Sequence, residues 1–199
     1  ALLGASVLAL AATQVLTARY RLQRLTAFLD PETAAGAGGY QLKQSLIAIG
    51  RGEWFGVGLG NSVQKLFYLP EAHTDFVFAV YAEEFGLAGA CVLIALFAAL
   101  LWRIFRLGVR AIEWDRSFEA YLAIGIGTWL GLQAFINLGV NMGILPTKGL
   151  TLPLVSYGRS SLIVTMMALG LLLRIHHELV VDASQPNRRR QRKPSAATS

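Results

Sequence analysis

Apolar residues in this chain gather into membrane-length runs separated by polar stretches, and each run predicts a helix. The first run, 1–18, is interrupted only by Thr13, Gln14 and Thr17. No initiator Met or basic segment precedes it, so the expectation is the truncated remainder of a spanning helix, not a cleavable signal peptide. The second run, 75–102, would reach about 40 Å as a helix, more than a hydrocarbon core needs. The third, 120–145, holds no charged residue. The fourth, 160–181, spans if Arg174, His176, His177 and Glu178 snorkel to one surface. The predicted fold is all-α, a polytopic membrane helical bundle with one long outer loop at 19–74.

That loop has its own pattern. Arg19, Arg21 and Arg24 mark the exit from the first run, and Asp30 with Pro31 makes a turn. In YQLKQSLIAIG, Leu42, Leu46 and Ile49 recur at helical spacing while Gln41, Lys43, Gln44 and Ser45 face away. The spacing predicts a short amphipathic helix lying on or dipping into the membrane interface. Gly50, Gly52, Gly56, Gly58 and Gly60 follow, interleaved with Arg51, Glu53, Trp54 and Phe55. They read either as flexible re-entrant backbone or as exposed N–H groups for a diphosphate, without the element order of a dinucleotide fold.

Polar positions inside the runs are few and patterned. Gln133, Asn137 and Asn141 stand at i, i+4 and i+8, one face of the third helix, as interhelical hydrogen-bonding groups would. Gly127 with Gly131, and Gly139 with Gly143, give small-residue spacings for close helix contact. Glu83 and Glu84 fall about 12 Å down the second helix from Asp75 and should face protein or water. Partners on neighbouring helices are their plainest role. Arg103, Arg106, Arg110 and Arg116, against Glu113, Asp115 and Glu119, mark 103–119 as a cytoplasmic loop. The segment 146–159 is then an outer loop, with Lys148 and Arg159 on the same side as Asp75.

Composition sharpens the class. The chain has 199 residues, 54% of them hydrophobic and 15% charged, which is too apolar for a soluble domain of that length. The net charge of +6 comes largely from Arg188, Arg189, Arg190, Arg192 and Lys193. Basicity therefore belongs to a tail, 182–199, expected to be disordered and cytoplasmic, and gives no ground for nucleic-acid binding. Cys91 is the single cysteine, so no internal disulfide can form.

Candidate chemistry concentrates where the long loop meets the second run, in LFYLPEAHTDFVFAVYAEEFG. Glu71, His73 and Asp75 stand together at that border. A carboxylate there is half in water and can stay ionised near the positive end of a helix. Thr74 or Asp75 is equally placed to be a helix N-cap. The adjacent His176 and His177 cannot share one helical face, so they do not make a metal pair.

Two long segments, GYQLKQSLIAIGRGEWFGVGLGNSVQKLFYLPEAHTDFVFAVYAEEFGLAG and LPTKGLTLPLVSYGRSS, resemble the signature segments of the SEDS family (shape, elongation, division and sporulation). The phrase GNSVQKL before YLPEAHTDF is more similar to the cell-division member than to the elongation member. The resemblance covers nearly the whole chain, as the C-terminal part of a longer membrane protein. Where the family phrase is SYGGSS, this chain has Arg159 in place of the second glycine.

The resemblance implies a peptidoglycan glycosyltransferase that polymerises lipid II during septal cell-wall synthesis. It makes Asp75 the catalytic general base. Lys148 is the first candidate to receive the leaving diphosphate, with Arg51, Lys65 and Arg159 behind it, and His73 and Glu71 would tune Asp75 or shape its loop. A divalent cation, Mg or Mn, could assist. Implied partners are lipid II, a class B penicillin-binding transpeptidase and other division proteins. The implied place is the inner (cytoplasmic) membrane, multi-pass, at the septum, with the site facing the periplasm. A lipid II flippase and a non-catalytic scaffold are the competing readings.

Overall fold

The computed structural model describes residues 37–62 and 73–184. The expected first helix at 1–18, Lys65, Glu71 and the tail from 185 lie outside the described residues. Every regular element among those described is helical: α1 is Ala37–Arg51, α2 Val77–Glu113, α3 Ser117–Asn141 and α4 Arg159–Ser184. The last three contain helices long and apolar enough to cross a membrane. This is the all-α, polytopic membrane architecture that the hydropathy pattern predicts.

Two compact units divide the described residues, one of 37–62, 73–93 and 133–157, the other of 94–132 and 158–184. In the first, Ala48, Phe76, Ala79 and Val140 form a buried cluster, flanked by Ile49, Val80, Ile136 and Leu145. The face that α1 buries differs from the one its sequence suggests. Ser45 is fully buried and Leu46 is 41% exposed. The cause is a hydrogen bond: Ser45 Oγ donates to the Asn141 carbonyl at 2.8 Å. That carbonyl belongs to the last turn of α3, where no intrahelical donor remains.

α2 is broken at Gly86, whose φ of 67° and ψ of −166° are non-helical. The break is fully accounted for in hydrogen bonds. In an unbroken helix, Leu87 and Ala88 would donate to the carbonyls of Glu83 and Glu84. Here those carbonyls accept from Val57 and Gly58, at 3.0 and 3.2 Å, while Leu87 and Ala88 donate to Glu53 and Trp54, at 2.9 and 3.1 Å. The glycine segment is thus laced onto the kink. Such backbone contact leaves no room for side chains: a Cβ on Gly52 would lie 2.0 Å from the Ala82 carbonyl oxygen, and one on Gly56 2.1 Å from that of Glu84. The N–H groups of Gly56, Val57 and Gly58 are spent within the chain. They form a structural clasp in place of a diphosphate cradle.

The second unit packs α2, α3 and α4 around Ile104, Leu107, Ala111, Ala120, Ala123, Leu130, Leu172, Ile175 and Leu179. Gly127 lies against Ile104 and Phe105, and Gly131 against Leu101, as close helix contact requires. Gly139 and Gly143 serve another purpose. Gly143 has φ 69°, its N–H donates to the Val140 carbonyl, and that of Ile144 donates to Gly139. That is a Schellman cap, which ends α3 at Asn141 although apolar residues continue to 145.

The same device, with Asp115 at φ 58° as the left-handed residue, ends α2. Helix therefore continues through Arg103, Arg106 and Arg110, and only Trp114, Asp115 and Arg116 link α2 to α3. Arg116 ties this corner together by donating to Glu119 and Glu178, at 3.1 and 3.0 Å, and to Asp182. Burial works against its charge, but the Glu178 bond and the Asp182 and Glu119 charges outweigh that and raise its pKa.

Candidate active site

Asp75 ends a short turn, 73–75, just before α2. The Phe76 carbonyl accepts from Ala79 and Val80, so the helix opens immediately after the acid. One capping contact comes from another helix: the Ala79 N–H also donates to Asn141 Oδ1 at 3.2 Å. Asp75 itself is half-buried, between water and the unit's interior.

The polar stripe of α3 is what holds this turn. Asn137, 2% exposed, donates through Nδ2 to the Asp75 carbonyl at 2.9 Å and also to the Leu150 carbonyl. Asn141, fully buried, donates to the same Asp75 carbonyl at 3.0 Å. Gln133 donates to the Thr151 carbonyl at 2.9 Å. The three amides therefore clamp loop backbone, where their spacing alone suggests helix-to-helix bonds. The reason is local: both loops cross the end of α3 with carbonyls that no helix or sheet ladder satisfies.

Two segments distant in sequence meet at Asn137. One carries Asp75; the other carries Lys148. An ideal Cβ on Gly149 would lie 2.8 Å from Asp75 Oδ2, so the acid's carboxylate lies against the backbone of that loop. The Leu150 N–H donates to the Lys148 carbonyl at 2.9 Å, which folds the chain tightly around Gly149. Lys148 is exposed beside it. The loop is fixed further on as well. Ser156 Oγ accepts from the Leu152 N–H at 2.8 Å, Leu154 holds φ 65°, and the Tyr157 N–H donates to the His73 carbonyl at 2.9 Å. His73 thus anchors the second loop through its backbone, while its side-chain face is exposed.

The remaining candidates are placed elsewhere. Arg51, half-exposed, points to the fully buried Glu83 at 3.8 Å. Ser62 Oγ donates to the other oxygen of that carboxylate. Glu83 thus has the cation partner its depth demands, and Arg51 is occupied with it. Arg159 opens α4, in the second unit, and is exposed. Lys65 and Glu71 lie outside the described residues. Among the described residues, no group of three or more His, Cys, Asp or Glu is gathered to hold a metal ion. Asn137 and Gly149 escaped the sequence reading as site-building residues. The i, i+4, i+8 spacing was the only signal for the first, and none pointed to the second.

Residues 1–180 match the family described as FTSW_RODA_SPOVE, cell cycle protein. A protein of Thioalkalivibrio sulfidiphilus named "Probable peptidoglycan glycosyltransferase FtsW" is 61% identical over 180 residues, 90% of this chain and 45% of the relative. A Halomonas elongata protein of the same name is 57% identical over 190 residues, 96% of this chain and 47% of the relative. A solved structure described as "Structural coordination of polymerization and crosslinking by a peptidoglycan synthase complex" is also similar. Its TM-score is 0.63 at 34% identity, covering 89% of this chain and 48% of that one. The chain spans less than half the length of these relatives.

Proposed function

The chain belongs to the FtsW/RodA/SpoVE family of cell cycle proteins, and from that premise we propose that it forms part of a peptidoglycan glycosyltransferase polymerising lipid II, with Asp75 as general base. The observation that carries the mechanism is the meeting of the Asp75 turn and the Lys148 loop at Asn137. A general base needs access to a hydroxyl and a fixed position. Asp75 is half-buried, and its turn is held through two amide donors on its own carbonyl.

In the proposed step, the hydroxyl of one lipid-linked disaccharide attacks the anomeric carbon of another. Asp75 takes the hydroxyl proton as the new glycosidic C–O bond forms. The bond from that carbon to the diphosphate oxygen breaks, and undecaprenyl diphosphate leaves with the electron pair. General-base assistance of this kind contributes about 10²- to 10⁴-fold. Lys148 is exposed on the tight turn beside Gly149, and in this reading it meets the negative charge growing on the diphosphate. Arg159 is a further candidate cation, and Lys65 and Glu71 keep the roles that the family resemblance implies. Arg51 is demoted by its engagement with Glu83. A divalent ion, Mg or Mn, would accompany the diphosphate as its counter-ion.

The same premise extends the proposal to place and partners: the cytoplasmic membrane at the septum, with the site facing the periplasm, and a class B penicillin-binding transpeptidase bound alongside. The test supplies labelled lipid II to the full-length protein in vesicles, together with such a transpeptidase. Glycan polymer on a gel is the expected product. Labelled lipid moved across the bilayer with no polymer formed would replace the enzyme reading with a flippase.

A further inference from the structure

Away from Asp75, the second unit holds a cavity of about 210 Å³ lined by Trp102, Arg103, Arg106, Leu107, Arg110 and His176. Arg103, Arg106 and Arg110 follow at i, i+3 and i+7 on α2, so helical geometry sets them on one face. His176 comes from α4, whose Leu172, Ile175 and Leu179 pack in the same core as Ile104 and Leu107. The cavity is therefore a groove between two packed helices. Three arginines and a histidine are among its lining residues, and no Asp or Glu is.

Among the described residues, no carboxylate neutralises these arginines. Among the described residues, Arg116 takes Glu119, Glu178 and Asp182, and Arg174 also takes Glu178. Neither Arg103, Arg106 nor Arg110 is ion-paired with any described residue. The Arg106 guanidinium instead lies 4.7 Å from the centroid of the Trp102 ring, a cation–π contact that restrains it without consuming its charge. Elsewhere on the same helices Phe105, Val109, Leu171 and Leu173 are exposed apolar residues. A ligand matched to the site has an anionic head for the groove and apolar chains for the apolar faces of these helices.

We propose that this groove between α2 and α4 binds the phosphate headgroup of an anionic phospholipid. Concentrated arginine near the end of a spanning helix belongs to the cytoplasmic side, where the leaflet carries anionic lipid. Ordinary snorkelling would spread such residues among headgroups. Here three of them line one cavity with a histidine from a second helix.

Native mass spectrometry of the full-length protein, exchanged into mixed phosphatidylcholine and phosphatidylglycerol micelles, tests this. The wild type should retain phosphatidylglycerol in preference to phosphatidylcholine. Arg103→Gln/Arg106→Gln/Arg110→Gln should lower that retention about 100-fold. Arg174→Gln, which removes an exposed but paired arginine, should leave it unchanged. Should the triple variant lose its fold, Arg106→Gln alone should lower retention about fivefold. Equal retention of the two lipids by the wild type would overturn the proposal, as would equal phosphatidylglycerol retention by wild type and variants. Displacement of the bound lipid by millimolar inorganic phosphate would assign the groove to a soluble anion and overturn it too.

Discussion

Replacing Asn137 by leucine removes a side chain that bridges the Asp75 turn to the Lys148 loop, with the same number of heavy atoms. The two contacts are not equal losses. The Asp75 carbonyl keeps its bond from Asn141 at 3.0 Å, so that end gives up about 1 kcal/mol. The Leu150 carbonyl loses its amide donor in a partly buried place, at a further cost of about 1–2 kcal/mol. Together these come to roughly 2–3 kcal/mol, or about a 30- to 150-fold rise in local opening. Hydrogen exchange should read that rise in peptides covering 73–80 and 147–157, with α4 unaffected. Glycan synthesis from lipid II should fall more than stability suggests, because a shift of about 1 Å in a reacting group can cost about 10²-fold. Unchanged protection in both peptides would refute the clamp, and wild-type synthesis despite lost protection would refute its catalytic relevance.

Three further substitutions separate position from stability. Gly149→Ala puts a methyl 2.8 Å from Asp75 Oδ2; the carboxylate must move by about half an ångström. Thermal unfolding should barely change, while polymerisation drops about 10- to 100-fold. Gly86→Ala meets both a left-handed φ and the Gly56 nitrogen at 2.4 Å, so the clasp should open at a cost of at least about 3 kcal/mol, seen as loss of folded protein in detergent. Arg116→Ala strands Glu119 and Asp182 and leaves Glu178 to Arg174 alone, and should cost about 1–3 kcal/mol in these partly exposed surroundings. Thermal unfolding should place Arg116→Lys between that variant and the wild type.

Much of the architecture was legible because hydropathy reports burial in lipid directly. Three of the expected spans appear as helices, and the amphipathic segment at 40–50 lies within α1. Ends were harder to read. Left-handed caps at Asp115 and Gly143, not changes in hydropathy, stop α2 and α3. The basic connector at 103–119 is mostly helix for that reason.

Pattern reading also found the right polar residues on α3, and Asn141 does make an interhelical bond, with the Ala79 N–H, but the amide donors go to loop carbonyls. Spacing reveals a face, but not whether a helix or a loop lies opposite. Ser45 shows the same limit: an isolated hydroxyl reads as surface until its acceptor, the Asn141 carbonyl, is known. The glycines of 52–58 were visible as permissive backbone. Their purpose depends on Gly86, about thirty residues away, and backbone-to-backbone contact over such a distance leaves no mark in side-chain periodicity.

Lipid II turnover by the full-length Asp75→Asn protein, beside wild type in the same membrane and with folding checked by thermal unfolding, bears most directly on the proposed chemistry. An amide of the same shape cannot accept the hydroxyl proton, so the predicted result is a folded protein whose polymerisation is lower by about 10²-fold or more. A folded Asp75→Asn protein that makes glycan at the wild-type rate would contradict it.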